Sequence, residues 1–412
     1  MKRTILLFFS IFFLSLSGCN LFKSKAITLL TDRAEMTAYV EHFNGLGQDY
    51  RVEIAYKKKP ELIFSENGKT ADLLIGSYLN SSLLMEQFEP LDKLFAKERI
   101  DREAFYPELL DSGRLDKKQV LLPISFNLPA VFFKPEMIES TLPGLVIPLT
   151  TLKAQGVEFN QLKEDRFIRM GFSPLWEERF LYLNAVLWGT SFKEAGGEEL
   201  AWDQEAMQKA LDYSRIWINQ DNSSVDKNIE FVNRYLYEPM VKLMEEERIL
   251  FYLTSSAEFF SLLEGMGEER DFRWLSHENR IPVEEEILFI GIPANAKNKK
   301  SALVFLEWFF APDTQQEILK MNHRKRLKVF GIGNGFSALQ KVNELSFPQA
   351  YGMLIGHIPA AKMLSFPQNL PVDWREIKSR VIIPWLLDSL TLEQEQSILE
   401  SSIQSFRAET LH

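Results

Sequence analysis

The chain has 412 residues, a formal charge of −10 and 25% charged residues. That acidic balance is spread along the sequence and argues against a nucleic-acid partner. With 46% hydrophobic residues, 32 Phe, 8 Trp, 11 Tyr and a single cysteine, the chain can build a large core but has no pair of thiols to staple it.

Lys2 and Arg3 precede an apolar run from Ile5 to Leu16. That run is about 12 residues, short of the roughly 20 a spanning helix needs. Charged, apolar and small-residue segments in that order have the form of an export signal. Its end, Leu16-Ser17-Gly18-Cys19, resembles the bacterial lipobox. The resemblance implies cleavage before Cys19 and acylation of that residue, and two or more chains anchor a protein stably. The competing reading is a plain secretory signal with a chance cysteine. The expected division is a signal over residues 1–18, a tether over 19–25, and an extracytoplasmic, lipid-anchored body. Loss of Lys2 and Arg3 then moves the formal charge from −10 to −12.

Residues 26–31 (Ala-Ile-Thr-Leu-Leu-Thr) read as a buried strand. Met36, Tyr39, Val40 and Phe43 follow at helical spacing, and Gly45 and Gly47 stop that helix. Arg51 to Tyr56 alternates like a strand, and Ala71 to Gly76 reads as a further buried one. Strand, helix and strand with short links predict a parallel sheet covered by helices. Ligands of such sheets bind beyond the carboxyl ends of the strands, which points to Asp32-Arg33 and Gly76-Ser77-Tyr78. Val120 to Phe133 holds two extended pieces broken by prolines and is a candidate crossing between lobes. Residues 136–285 read as mostly helical, with helices over Trp176–Trp188 and Ala206–Ile218. Ile287 to Pro293 returns to strand character, and Ala302, Phe305, Leu306 and Phe309 mark an amphipathic helix. Asp313 and Gln316 stand at capping-box spacing for the next helix, and the tail from Trp374 to Phe406 reads as helical. The length suggests two lobes.

Three stretches together resemble the extracellular solute-binding proteins of ABC transporters, in the family whose members bind sugars and oligosaccharides. The first is Ala71-Asp72-Leu73-Leu74-Ile75-Gly76 followed by Phe88-Glu89-Pro90-Leu91-Asp92. The second runs from Phe105-Tyr106-Pro107 through Leu121-Leu122-Pro123-Ile124-Ser125 to Val131-Phe132-Phe133-Lys134. The third and most specific is Gly291 to Ala302, continuing to Trp308 and Pro312-Asp313-Thr314-Gln315-Gln316. The resemblance covers residues 26 to about 320; it departs at Asp116–Pro123, where family members often show Gly-Lys-Tyr-Gly-Leu-Pro, and at Arg248–Ser256, where the family has a glycine-rich piece with a small residue and methionine. It implies two α/β lobes joined by a hinge around a cleft, as in periplasmic binding proteins. The lobes it suggests are 26–128 with 286–330, and 129–285 with 331–412. It implies closure of the cleft over a small polar solute, a sugar or oligosaccharide, and delivery to ABC permease subunits. The lipid at Cys19 would hold the receptor near its permease.

The candidate ligand contacts are Asp32, Arg33, Tyr78, Phe126, Asn127, Trp176, Tyr252, Ser255 and Trp274. Asp32 can accept from hydroxyls, but with Glu35 it also has capping-box spacing. Arg33 reads first as solvated and second as a contact. Phe126 beside Asn127 offers a ring face and an amide, the pair that pyranose rings use; hinge packing is the competing reading. Trp176 and Trp274 divide between stacking surface and core, while Trp188 and Trp308 lie in apolar faces and read as core. Tyr252 and Ser255, with Ser256, follow a strand-like Ile249-Leu250-Phe251. The five histidines lack paired ligand spacing, so neither a metal site nor a cofactor is expected. The cluster His323-Arg324-Lys325-Arg326 with Lys328 reads as a solvated helix end. Two other classes stay open, a carbohydrate-handling hydrolase and a structural surface lipoprotein that keeps the fold. No catalytic motif such as GxSxG or HExxH is present.

Overall fold

The computed structural model describes residues 25–47, 49–66, 68, 70–138, 142–196, 199–262, 270–392 and 398–410. The export signal and Cys19 lie outside the described residues.

The chain opens with β1 (Lys25–Thr31), α1 (Met36–Gly45), β2 (Tyr50–Tyr56) and β3 (Leu73–Ser77). β1 pairs in parallel with β2 on one side and β3 on the other. Met36, Tyr39, Val40 and Phe43 are buried, as the helical spacing requires. β4 (Leu121–Phe126) and β9 (Leu288–Gly291) extend the sheet antiparallel, and β10 (Phe336–Ser337) closes it. The order is β10-β4-β9-β3-β1-β2. The second sheet holds β5 (Pro129–Phe133), β6 (Val146–Pro148), β7 (Tyr252–Ser255) and β8 (Asp271–Ser276) in the order β7-β5-β8-β6. Between Phe126 and Pro129 the chain therefore leaves one sheet and enters the other, which is the crossing expected of the proline-broken stretch. It returns between Ser276 and Leu288. Residues 331–337, grouped by the sequence with the second lobe, reach the first sheet through β10.

Helices around the second sheet include α2 (Leu149–Phe159), α3 (Glu178–Leu187) and α4 (Gln204–Ile216). α5 (Lys299–Phe309) and α6 (Pro312–Arg324) belong with the first sheet, packing Phe305 and Phe309 against Tyr39 and Phe43. The tail is α7 (Trp374–Ile377), a wide turn over Lys378–Ile382, α8 (Ile383–Thr391) and α9 (Leu399–Thr410). Trp374, Ile377, Ile382 and Leu386 pack there against Leu181, Ala185 and Leu211 of α3 and α4. Among the described residues no helix is long and apolar enough to cross a membrane.

Two expectations need correction. Residues 136–285 are not mostly helical, because three strands of the second sheet lie inside them. Short, fully buried runs such as Phe272–Ser276 carry no alternation that would separate them from a turn of buried helix. Asp313 caps nothing: the helix begins one residue earlier, at Pro312, with Ala311 at the N-cap and no side-chain cap. Asp313 sits instead in the first turn, where a carboxylate suits the helix dipole.

One buried carboxylate ties two of the sequence motifs together. Asp72 is only 6% exposed, so its ionised form needs donors around it. Its Oδ1 accepts from the backbone N–H groups of Asn298 (2.8 Å) and Lys297 (3.1 Å). Its Oδ2 accepts from the Thr28 N–H and the Asn298 Nδ2, both at 3.1 Å. The acidic residue before β3 and the Lys-Asn pair before α5 are thus two halves of one staple.

Candidate functional site

A cavity of about 490 Å³ opens between the two sheets. The first sheet contributes Arg33 and Tyr78, just past the carboxyl ends of β1 and β3, and Asn127, just past β4. The opposite wall is Arg179 and Tyr182 of α3 with Ser255 and Glu258 at the end of β7. The returning segment before β9 supplies Glu284, Glu285 and Glu286, and the tail supplies Lys378.

Those three successive glutamates reach three different elements. Glu284 faces Arg179 of α3 at 3.9 Å, Glu285 pairs with Lys378, and Glu286 pairs with Arg33 at 3.0 Å. Arg33 also donates to Ser77 Oγ at 2.6 Å, and Arg179 donates to Glu258 at 2.9 Å. The Lys378 ammonium lies 4.0 Å over the Tyr182 ring. At the hinge, the Glu284 N–H donates to the Asn127 carbonyl (2.9 Å), and Asn127 Oδ1 accepts from Ser256 Oγ (2.6 Å). Asn127 Nδ2 donates to the Asn334 carbonyl at 3.0 Å.

Burial dominates the protonation of Glu284 and, against the pull of Arg179, pushes its carboxyl up to about 7. Its side chain keeps 20% of its surface open, so the carboxyl is packed round by protein on all but the cavity side. Raised above its unfolded value, this carboxyl contributes stability that is full at acid pH and lost as pH climbs through 7. The loss is on the order of 3 kcal/mol. Glu284→Gln is therefore expected to resist urea better than the parent at pH 8 and equally at pH 4.5; equal midpoints at pH 8 would refute the assignment.

The structure brings four of the nine sequence candidates to the cavity wall: Arg33, Tyr78, Asn127 and Ser255. The Ser255 hydroxyl is also engaged locally, accepting from the Glu258 N–H (3.2 Å) while Glu258 Oε2 accepts from the Ser255 N–H (3.3 Å). That reciprocal pair is a capping box. Asp32 is off the wall, 3.3 Å from Arg33 Nε. Burial raises its carboxyl, with Arg33 opposing. It does not cap α1 either, since Glu35 holds the N-cap with no side-chain bond. Phe126 and Trp274 are core rather than ligand surfaces. Phe126 packs on Tyr106, Phe336 and Phe366, and Trp274 donates from its indole N–H to the His357 carbonyl at 2.7 Å. Trp176 stacks on Phe231 with centroids 5.5 Å apart, and Tyr252 lies in β7 three residues short of the wall.

Sequence reasoning missed Arg179, Tyr182, Glu258, Lys378 and the glutamate triplet. The one signal available was the triplet, three acids set directly before a buried strand where the chain changes lobes.

Tyr78 separates this cavity from a second one of about 350 Å³, lined in part by Lys59, Leu62, Arg375 and Phe406. Beside it, the halves meet directly. Lys59 pairs with Glu376 (2.5 Å), Asn80 Nδ2 donates to Asn369 Oδ1 (3.1 Å), and the Ser82 N–H donates to Glu194 (3.0 Å).

No family model matches the chain, and no curated protein matches it. Solved structures do. An ABC substrate-binding protein from Listeria monocytogenes in complex with cycloalternan superposes with a TM-score of 0.65 at 13% identity, covering 94% of this chain and 98% of that one. The sugar-binding protein MalE from Xanthomonas citri gives 0.67 at 12%, covering 93% and 96%. The GacH receptor of Streptomyces glaucescens, solved unliganded and with acarbose, gives 0.62 at 12%, covering 94% and 98%. The chain has the two-lobed fold of the ABC substrate-binding proteins. Both lobes and both described crossings furnish the wall of the space between them.

Proposed function

We propose that this chain is a non-enzymatic, extracytoplasmic receptor that closes its lobes over a sugar or oligosaccharide and passes it to an ABC permease. The observation that carries the reading is the composition of the cleft. The ring of Tyr78 stands beside the amides of Asn127 and Gln368 and a set of fixed charges, while the Tyr182 ring is covered by Lys378 and Phe192. Rings offer flat faces to the apolar side of a pyranose, and amides and charged groups serve its hydroxyls. The fold supports this reading, because the structural neighbours named above are binding proteins, two of them solved with carbohydrates or a carbohydrate analogue. Ligand contacts made from both lobes favour the closed state over the open one. Acylation of Cys19 would tether the receptor beside its permease.

The test is a thermal-shift screen over oligosaccharides, with chromatography of the incubated sugars. The expected result is a raised melting temperature with no product, since a ligand bound by the folded state alone stabilises it. Product formation would make the protein a hydrolase, and silence across all sugars would leave the structural-lipoprotein reading. Expressed in bacteria, the chain is expected in the membrane fraction with an acylated N-terminal Cys19, and Cys19→Ser is expected to lose the acyl mass; a parent chain without acyl mass refutes the anchor.

A further inference from the structure

Among the described residues the cavity wall carries three cations, Arg33, Arg179 and Lys378, and four carboxylates, Glu258, Glu284, Glu285 and Glu286. Each cation is in close contact with a carboxylate other than Glu284: Arg33 with Glu286, Arg179 with Glu258, and Lys378 with Glu285. One carboxylate is left over. Among the described residues, no side chain or backbone N–H donates a hydrogen bond to the carboxyl of Glu284. Arg179 Nη1, 3.9 Å away, is beyond hydrogen-bond reach, and Arg179 binds Glu258 through Nη2 at 2.9 Å. The main chain at Glu284 is fixed by its own N–H, which donates to the Asn127 carbonyl at the crossing between lobes.

We infer that the cleft selects an amino sugar, its protonated amine seated on the Glu284 carboxylate and its ring against Tyr78. The inference rests on the reading of the cleft as a carbohydrate site. A neutral hydroxyl would supply a donor but leave the extra charge uncompensated once closure removes water, and a buried charge without a counter-charge is costly. An ammonium supplies both, in a charge-assisted bond about twice as strong as a neutral one. An anionic sugar is disfavoured, because it would have to displace a carboxylate already bound to each cation. A metal ion is not the missing partner on this geometry, since no cluster of ligating side chains forms among the described residues. The high proton affinity of Glu284 is what a carboxylate awaiting its cation should show.

The test uses matched sets of oligosaccharides in several linkages, each set differing only in bearing a free amine, an N-acetylamine or a hydroxyl at one ring carbon. They are screened on an array and then by titration calorimetry at pH 7.5. Free-amine members are expected to bind at least tenfold tighter than both partners, and Glu284→Gln is expected to erase that preference. Neutral members bound as tightly by the parent protein, or a preference that survives in Glu284→Gln, would overturn the inference and leave the receptor reading standing. Binding of no member would overturn both. The three-way comparison on the parent protein decides the matter even if the variant fails to fold.

Discussion

Asp72→Ala is expected to lower the unfolding free energy by about 3–5 kcal/mol, the largest stability effect of a single polar substitution foreseen in this fold. The carboxylate accepts four hydrogen bonds, three of them from backbone N–H groups of Thr28, Lys297 and Asn298. Removing it strands those donors in a place where the residue itself is 6% exposed. Each stranded donor costs about 1–3 kcal/mol, and partial entry of water keeps the sum below the simple total. The substitution also unties the start of β3 from the turn before α5, so local opening should precede global unfolding. Urea denaturation followed by far-UV circular dichroism measures the loss. Hydrogen exchange at Lys297 and Asn298 reports the local opening. A loss under about 1 kcal/mol would show that the staple is dispensable.

Tyr78→Gly is expected to weaken ligand binding by about ten- to a hundredfold, equivalent to roughly 1.4–2.7 kcal/mol, with little loss of stability. Tyr78 holds φ at +58°, in the left-handed region that a residue with a Cβ adopts at a cost of about 1–2 kcal/mol. Glycine removes that cost. It also removes a ring that forms the partition between the two cavities, with the Arg375 guanidinium 5.2 Å from its centroid. Tyr78→Ala removes the same ring and keeps the strained backbone. The two variants should therefore bind equally poorly, while the alanine variant is the less stable by about 1 kcal/mol. Calorimetry with whichever sugar the screen identifies gives the first comparison, and urea midpoints give the second. Parent-like affinity in either variant would remove Tyr78 from the site. A bulky residue kept in a strained turn at a cavity wall is the usual mark of a position held for its side chain.

Periodicity and local chemistry made much of the first half legible. Met36, Tyr39, Val40 and Phe43 repeat at helical spacing and are buried, and strand, helix, strand order alone required the parallel β2-β1-β3 core. That topology in turn placed Arg33 and Tyr78 at strand ends, which is why both were found without any motif. Asn127 was legible from the proline-broken crossing.

The rest depended on distance along the chain. Arg33 and Glu286 are separated by 253 positions, Glu285 and Lys378 by 93, and Arg179 and Glu258 by 79. A charged side chain has no periodicity, and a run of three glutamates looks solvated until the fold surrounds it. Phe126 and Trp274 show the converse. An aromatic ring suits a core and a sugar equally well, and packing from Phe336, a strand added late in the chain, assigned both to the core. Local sequence set which segments are strands and helices, because backbone preferences and apolar spacing act over a few residues. Only the tertiary structure decided which charges meet in the cleft and which carboxylate is left without a hydrogen-bond donor, because Coulomb energies depend on separation in space and on the exclusion of water.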